Sequence, residues 1–222
     1  MLEVVSVQAV WKSHVDEKYV LKGIDLAVNE GSFVMIMGRS GAGKTTLLKI
    51  IGLLEKPTKG EVKIFGMNAS NLNDDQKARI RLEGLGFVFQ SLNLIPHLTA
   101  VENIEVPMWL KKVEPRERRR RATELLERFN LIHLKERLPS QMSLGEQQRV
   151  AVLRAVANGP KLILADEPAA HLDDESASQL YGLLKELNKS AKTSILATTT
   201  SEEEASVADS RFLLSHGVLT KV

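Results

Sequence analysis

The segment Gly38-Arg-Ser-Gly-Ala-Gly-Lys44-Thr45 constrains this chain more than any other. It fits the pattern of a glycine, four residues, then Gly-Lys and a hydroxyl residue. It lies between an apolar run at Ser32 to Met37 and an apolar-periodic stretch from about Thr45 to Leu54. A strand, this loop and a helix in succession form the setting in which the pattern cradles phosphate. The glycines let the backbone curl until its N–H groups point inward, and the helix N-terminus adds a positive dipole end. Gly38, Arg39, Ser40, Gly41, Ala42, Gly43, Lys44, Thr45 and Thr46 are therefore candidate residues for binding the phosphates of a nucleotide. Lys44 is expected to reach the β- and γ-phosphates, and the Thr45 hydroxyl to ligate Mg²⁺.

A second segment points to the same chemistry. Leu162-Ile-Leu-Ala-Asp166-Glu167 is an apolar run that ends in two carboxylates. A buried parallel strand reads this way, and ligands bind at its carboxyl edge. Asp166 is placed to hold the metal shell, and Glu167 to polarise an attacking water as general base.

The rest of the chain alternates. Valine-rich Val4 to Val10 and the segment Tyr19 to Val28 read as strands, as do Glu61 to Phe65, Gly86 to Gln90 and Ser194 to Thr198. From about Thr99 to Asn158 the pattern is helical, and another helix is expected at Asp174 to Leu187. Strands alternating with helices imply a parallel sheet with right-handed crossovers. The 222 residues suit one large α/β domain. A net charge of +2 is too small to argue for nucleic acid as a partner. The basic run Arg118 to Arg121 is interspersed with Glu117, Glu124 and Glu127, which suits a solvated helix face. The absence of cysteine excludes disulfides and thiolate metal sites. No run of about 18 apolar residues occurs, so a chain of this kind needs another protein to cross a bilayer. The N-terminal segment lacks the basic and apolar regions of a targeting signal.

Four short segments carry a family resemblance. Ser143-Leu-Gly-Glu-Gln-Gln-Arg149 resembles the signature motif of the ABC ATPases, Phe87-Val-Phe-Gln90 their Q-loop, and Ala170-His-Leu-Asp173 their D-loop, all around the Asp166-Glu167-Pro168 strand end. Order and spacing are similar over essentially the whole chain. Segments such as Ile51 to Val62 and Leu92 to Asn103 resemble the lipoprotein-releasing and macrolide-export group. The resemblance implies an α/β P-loop NTPase fold with a RecA-like parallel sheet, an N-terminal antiparallel β subdomain and an inserted α-helical subdomain. It implies one domain over residues 1–222, with the nucleotide-binding core at 1–90 and 159–222 and the helical part at 91–158. Gln90 would touch Mg²⁺ and the attacking water. Ser143, Gly145 and Asp173 would meet nucleotide across a dimer. The partners implied are transmembrane permease chains and a second ATPase subunit, on the inner face of the cell membrane.

Three positions depart from the family pattern. The signature carries Leu144 where a glycine is usual, Thr200 stands at the place of the switch histidine, and the adenine-stacking aromatic is replaced by His14, with Trp11 three residues earlier. Neither His171 nor His216 replaces the missing histidine by position. The expectation is ATP binding with slowed hydrolysis, since a lost transition-state contact costs a few kcal/mol. The alternative is an ATP-binding dimerisation switch with little turnover that regulates a membrane complex.

Overall fold

A computed structural model describes residues 3–13 and 19–222. The chain opens with two long antiparallel strands, β1 (Glu3–Ser13) and β2 (Tyr19–Asn29). It continues through β3 (Phe33–Met37), α1 (Lys44–Ile51), β4 (Lys59–Ile64), the short β5 (Met67–Asn68), α2 (Asp74–Gly84) and β6 (Leu85–Val88). Three helices follow: α3 (Ala100–Leu110), α4 (Pro115–Arg128) and α5 (Leu144–Val156). The last part runs β7 (Leu162–Ala165), α6 (Asp174–Ala191), β8 (Ser194–Thr199), α7 (Glu202–Ala205), β9 (Ser210–Ser215) and β10 (Val218–Lys221).

The strands form two sheets. One is antiparallel, in the order β2-β1-β4-β5. The other has the order β10-β9-β3-β8-β7-β6, parallel except for the edge hairpin that joins β9 to β10. The α/β P-loop NTPase expectation therefore holds: a parallel sheet with helical crossovers beside an antiparallel one.

Period-two alternation explains why the central strands read as unbroken apolar runs. Phe33 and Met35 of β3 point into a core shared with α3, α5 and α6, together with Ile163, Ala165, Ile195 and Ala197. Val34 and Ile36 point the other way, into a core shared with α1 and the antiparallel sheet, together with Leu162, Leu164 and Leu196. Helix α6 buries Leu180, Tyr181, Leu183, Leu184 and Leu187, a stripe at helical spacing.

Helix ends follow local chemistry. Capping boxes open α2 (Asn73 with Gln76), α3 (Thr99 with Glu102) and α5 (Ser143 with Glu146). Helix α1 stops at Ile51, short of the expected Leu54, because Leu53 takes a left-handed backbone with φ of 59°. Helix α2 and strands β9 and β10 were not legible in the apolar pattern. The basic run on α4 is tied to carboxylates. Arg118 and Arg119 flank Glu105 of α3 at 3.1 and 2.6 Å, and Arg120 and Arg121 reach Glu117 at 2.8 and 2.6 Å.

Strand β6 packs closely on α5 at Gly86. A Cβ added there would lie 2.6 Å from the carbonyl oxygen of Ala155, a backbone atom that cannot swing aside. Gly86→Ala is expected to lower stability by about 1–3 kcal/mol through overpacking. Urea unfolding followed by circular dichroism measures it, and an unchanged midpoint would refute the close approach.

Candidate active site

The parallel register of β3, β8 and β7 brings three chain segments to one sheet edge. Met37 lies beside Thr199, and Ala165 beside Ala197. The loop after β3 thus begins next to the carboxylates after β7 and the threonines that end β8. Gly38 N–H donates to the Thr199 carbonyl at 3.2 Å, which anchors the loop to the neighbouring strand.

Gly43 is the residue just before α1, in a left-handed conformation with φ of 102°. A side chain there would also strike Val20 at 2.8 Å, so glycine is required on both counts. Arg39, Ser40 and Gly41 stay exposed, Ala42 and Thr46 are half-buried, and Lys44 is buried. The Lys44 ammonium donates to the carbonyls of Gly38 at 2.6 Å and Arg39 at 3.1 Å. Its third partner is a Glu167 carboxylate oxygen at 3.0 Å. An ammonium carries three donors, so here it is fully satisfied inside the loop.

Asp166 and Glu167 are held by a residue the sequence reading passed over. Thr198 is fully buried near the end of β8. Its hydroxyl donates to one Asp166 carboxylate oxygen at 2.8 Å and accepts the Glu167 N–H at 3.0 Å. The other Asp166 oxygen accepts the Thr45 hydroxyl at 2.6 Å. A hydroxyl and a carboxylate side by side at the mouth of a cleft are hard oxygen donors, a set that suits Mg²⁺ once phosphate supplies further oxygens. Glu167 has φ of 42°, a strained conformation for a non-glycine residue. The hydrogen bond from its N–H to Thr198 helps to fix it there. The signal in the sequence was a threonine at the carboxyl end of a strand whose middle, Ile195 to Ala197, is apolar.

A cleft of about 510 Å³ opens in front of these groups, lined among others by Thr45, Gln90, Asp166, Leu144, Gln148 and His171. Gln90 is exposed just beyond β6. Ser143 caps α5, accepting the Glu146 N–H at 3.2 Å, while its own N–H donates to Glu146 at 2.8 Å. Partial burial opposes ionisation of Glu146, but hydrogen bonds from Ser143 together with the nearby His133 outweigh it and hold the carboxyl below its ordinary range. Leu144, the first residue of α5, is 41% exposed and projects to the cleft rather than into the core. Gly145 is buried against Ser176 of α6. Asp173 caps α6, accepting the Ser176 N–H at 2.8 Å and its hydroxyl at 3.1 Å. One serine thus connects the start of α5 to the loop before α6.

On the other side of the phosphate loop, a cleft of about 670 Å³ is lined among others by Tyr19, Val20, Arg39, Ser40, Gly41 and His216. Trp11 meets Tyr19 edge to face, with ring centroids 5.1 Å apart. It also lies over Gly23, within 3.5 Å of where a Cβ would stand. Tyr19, which the sequence reading did not single out, carries this aromatic pair to the cleft. His14 lies outside the described residues. Thr200 is exposed just past β8.

Residues 21–170 match the family model described as "ABC transporter". The chain is 44% identical over 206 residues to the uncharacterized ABC transporter ATP-binding protein MJ0796 of Methanocaldococcus jannaschii, covering 90% of this chain and 86% of that one. It is 44% identical over 198 residues to the lipoprotein-releasing system ATP-binding protein LolD 1 of Rhodospirillum rubrum, covering 89% and 88%. The macrolide export ATP-binding/permease protein MacB of Marinobacter nauticus is 43% identical over 202 residues, which cover 91% of this chain and 31% of that longer one. In three dimensions the chain resembles the dimeric post-hydrolysis structure of MJ0796 bound to ADP and Pi. The TM-score is 0.89, the identity 41%, and the match covers 98% of each chain.

Thr198→Val keeps the shape of the side chain but removes its hydroxyl. The buried Glu167 N–H then loses its acceptor and Asp166 loses a donor, at an expected cost of about 1–3 kcal/mol. Chemical denaturation beside Thr200→Val, an exposed neighbour expected to change little, tests this. Equal effects at the two positions would count against the bridge.

Proposed function

The chain belongs to the ABC transporter family of ATP-binding subunits, and on that premise we propose that it binds and hydrolyses ATP to power a transporter through ATP-driven dimerisation. The observation that carries this reading is the meeting of Lys44 with Glu167 and of Thr45 with Asp166 at one sheet edge beside the phosphate loop. Hydrolysis needs a phosphate cradle, a metal-holding oxygen pair and a base, and all three converge here.

In this reading the loop N–H groups and Lys44 bind the phosphates. Thr45, Asp166 and Gln90 would hold Mg²⁺, which when bound neutralises charge on the phosphate oxygens. Glu167 accepts the proton of the attacking water. Glu167 is paired with Lys44 at 3.0 Å, so its carboxylate is engaged. Phosphate oxygens arriving in the loop compete for the Lys44 ammonium and release Glu167 toward water. Base recognition falls to the aromatic side of the loop, where Trp11, Tyr19 and His14 are the candidates. Ser143 and Asp173 stand at exposed helix starts, with Gly145 buried beside Ser143, and these are the residues suited to meet nucleotide held by a second ATPase subunit, in a homodimer or a heterodimer.

The permease partner has a plausible seat. A groove of about 330 Å³ between β6 and the three-helix region is lined among others by Leu82, Phe87, Phe89, Pro107, Leu110 and Arg154. Arg154, half-buried, donates to the Leu92 carbonyl at 2.8 Å and also to that of Asn93. It therefore links the groove wall to the loop that carries Gln90. None of the described helices is long and apolar enough to cross a membrane, so the proposed place of work is the inner membrane face, against permease chains.

Hydrolysis is proposed to be slow. Thr200 is shorter than a histidine and uncharged, and Leu144 adds an apolar side chain where a γ-phosphate from the other subunit would approach. ATP hydrolysis with Mg²⁺ is expected to be measurable in the parent, abolished in Glu167→Gln and raised about a hundredfold in Thr200→His, the size of a restored transition-state contact. A parent that binds ATP yet turns over no faster than Glu167→Gln would establish the dimerisation-switch reading instead. Base-site placement is checked by fluorescence. In Trp109→Phe the remaining tryptophan is Trp11, and its emission is expected to shift on adding ATP but not on adding pyrophosphate.

A further inference from the structure

A second polar cluster lies behind the site, where the apolar stripe of α6 faces the segment that follows β8. Tyr181 is 4% exposed and sits in that stripe between leucines. Its hydroxyl donates to a carboxylate oxygen of Glu204 at 2.7 Å. The same oxygen accepts the Thr199 hydroxyl at 2.5 Å. The Thr199 hydroxyl in turn accepts the Ser201 N–H at 3.0 Å, and Ser201 caps the short helix that carries Glu204. The Thr199 carbonyl takes the Gly38 N–H at the start of the phosphate loop.

These bonds enclose Thr200 on both sides. The residue before it is tied to Glu204 and to Gly38, and the residue after it is tied back to Thr199. A carboxylate and a phenol in this position have no packing advantage. Two apolar side chains would fill the space without desolvating a charge. What the polar pair adds is direction, because two hydroxyls converge on one oxygen and fix where the segment lies. Burial, strengthened by the Glu204 bond and by the charge of Glu167, holds the Tyr181 hydroxyl above its ordinary range. Tyr181 therefore stays a neutral donor, and Glu167 is near enough for its charge to be felt.

We propose that Tyr181, Glu204 and Thr199 form a positioning network that holds the Thr200 segment at the phosphate edge in its hydrolysis-competent place. This rests on the ATPase reading above. None of the three touches substrate; they act through the backbone of residues 199–201. In a chain without a histidine at Thr200, the backbone carries more of the task of ordering this edge.

The test separates kcat from KM and adds a readout that needs no turnover. Tyr181→Phe and Glu204→Leu are expected to lower kcat about fivefold, the equivalent of one hydrogen bond, with KM for ATP within about twofold of the parent. Glu204→Gln keeps an oxygen that accepts both hydroxyls and recovers most of the loss seen in Glu204→Leu. Amide hydrogen exchange of residues 199–205 in nucleotide-free protein is expected to quicken in Tyr181→Phe and Glu204→Leu and to return toward the parent in Glu204→Gln. Should Tyr181→Phe fail to fold, Thr199→Val removes the other donor and carries the same expectation. Parental kcat and parental exchange in these variants would overturn the proposal, as would a lower melting temperature with kcat unchanged. If the parent itself hydrolyses no ATP, the ATPase reading fails on that ground, and exchange alone decides whether the network orders the segment.

Discussion

One hydroxyl organises the carboxylate end of this site. Thr198 stands in the middle of the parallel sheet, where water cannot reach, and bonds to both Asp166 and the Glu167 backbone. Two acids at a strand end would ordinarily turn to solvent. Here one is aimed at Thr45 and the other is held in a left-handed backbone that turns its side chain toward Lys44. The register of β8 against β3 and β7 decides where that hydroxyl falls. A one-residue slip would put Thr199 in its place and turn the hydroxyl to the opposite face of the sheet.

The two halves of the site are built differently. The phosphate loop is local: its glycines, Lys44 and Thr45 are consecutive, and the loop takes shape from strand, turn and helix in order. That is why it could be read from eight letters. The carboxylate half is assembled from strands far apart in the chain. Asp166 and Glu167 were legible because an apolar run announces a buried strand and its end. Thr198 was not, since a threonine in a strand reads as ordinary β-propensity until its neighbours are known. The same holds for Tyr181, which the helical pattern counts as one more apolar residue of α6.

Pattern reading also failed where burial is weak. Helix α2 buries only Lys77 and Gly84, so no apolar stripe marks it, and its sign in the sequence was the capping pair of Asn73 and Gln76. The hairpin of β9 and β10 turns at His216 and Gly217, both with positive φ, a two-residue turn that the sequence reading left unused. The hairpin places His216 in the lining of the cleft shared with Ser40 and Gly41. At the start of α5, by contrast, the serine and glutamate of the capping box stood in plain view, inside the segment read as a signature.

The Lys44–Glu167 ion pair bears on how the site would take up phosphate. Lys44 makes its three bonds within the protein, and one goes to the residue proposed as base. The Glu167 carboxylate is engaged by the buried Lys44 ammonium at 3.0 Å. Only a ligand that competes for the same ammonium can free it, and phosphate oxygens are suited to that because they bring more negative charge into the loop than Glu167 removes by leaving. Diphosphate would compete less well than triphosphate, which carries one more anionic group toward Lys44. In the proposed cycle, discrimination between substrate and product thus begins with an ion pair already present in the resting site.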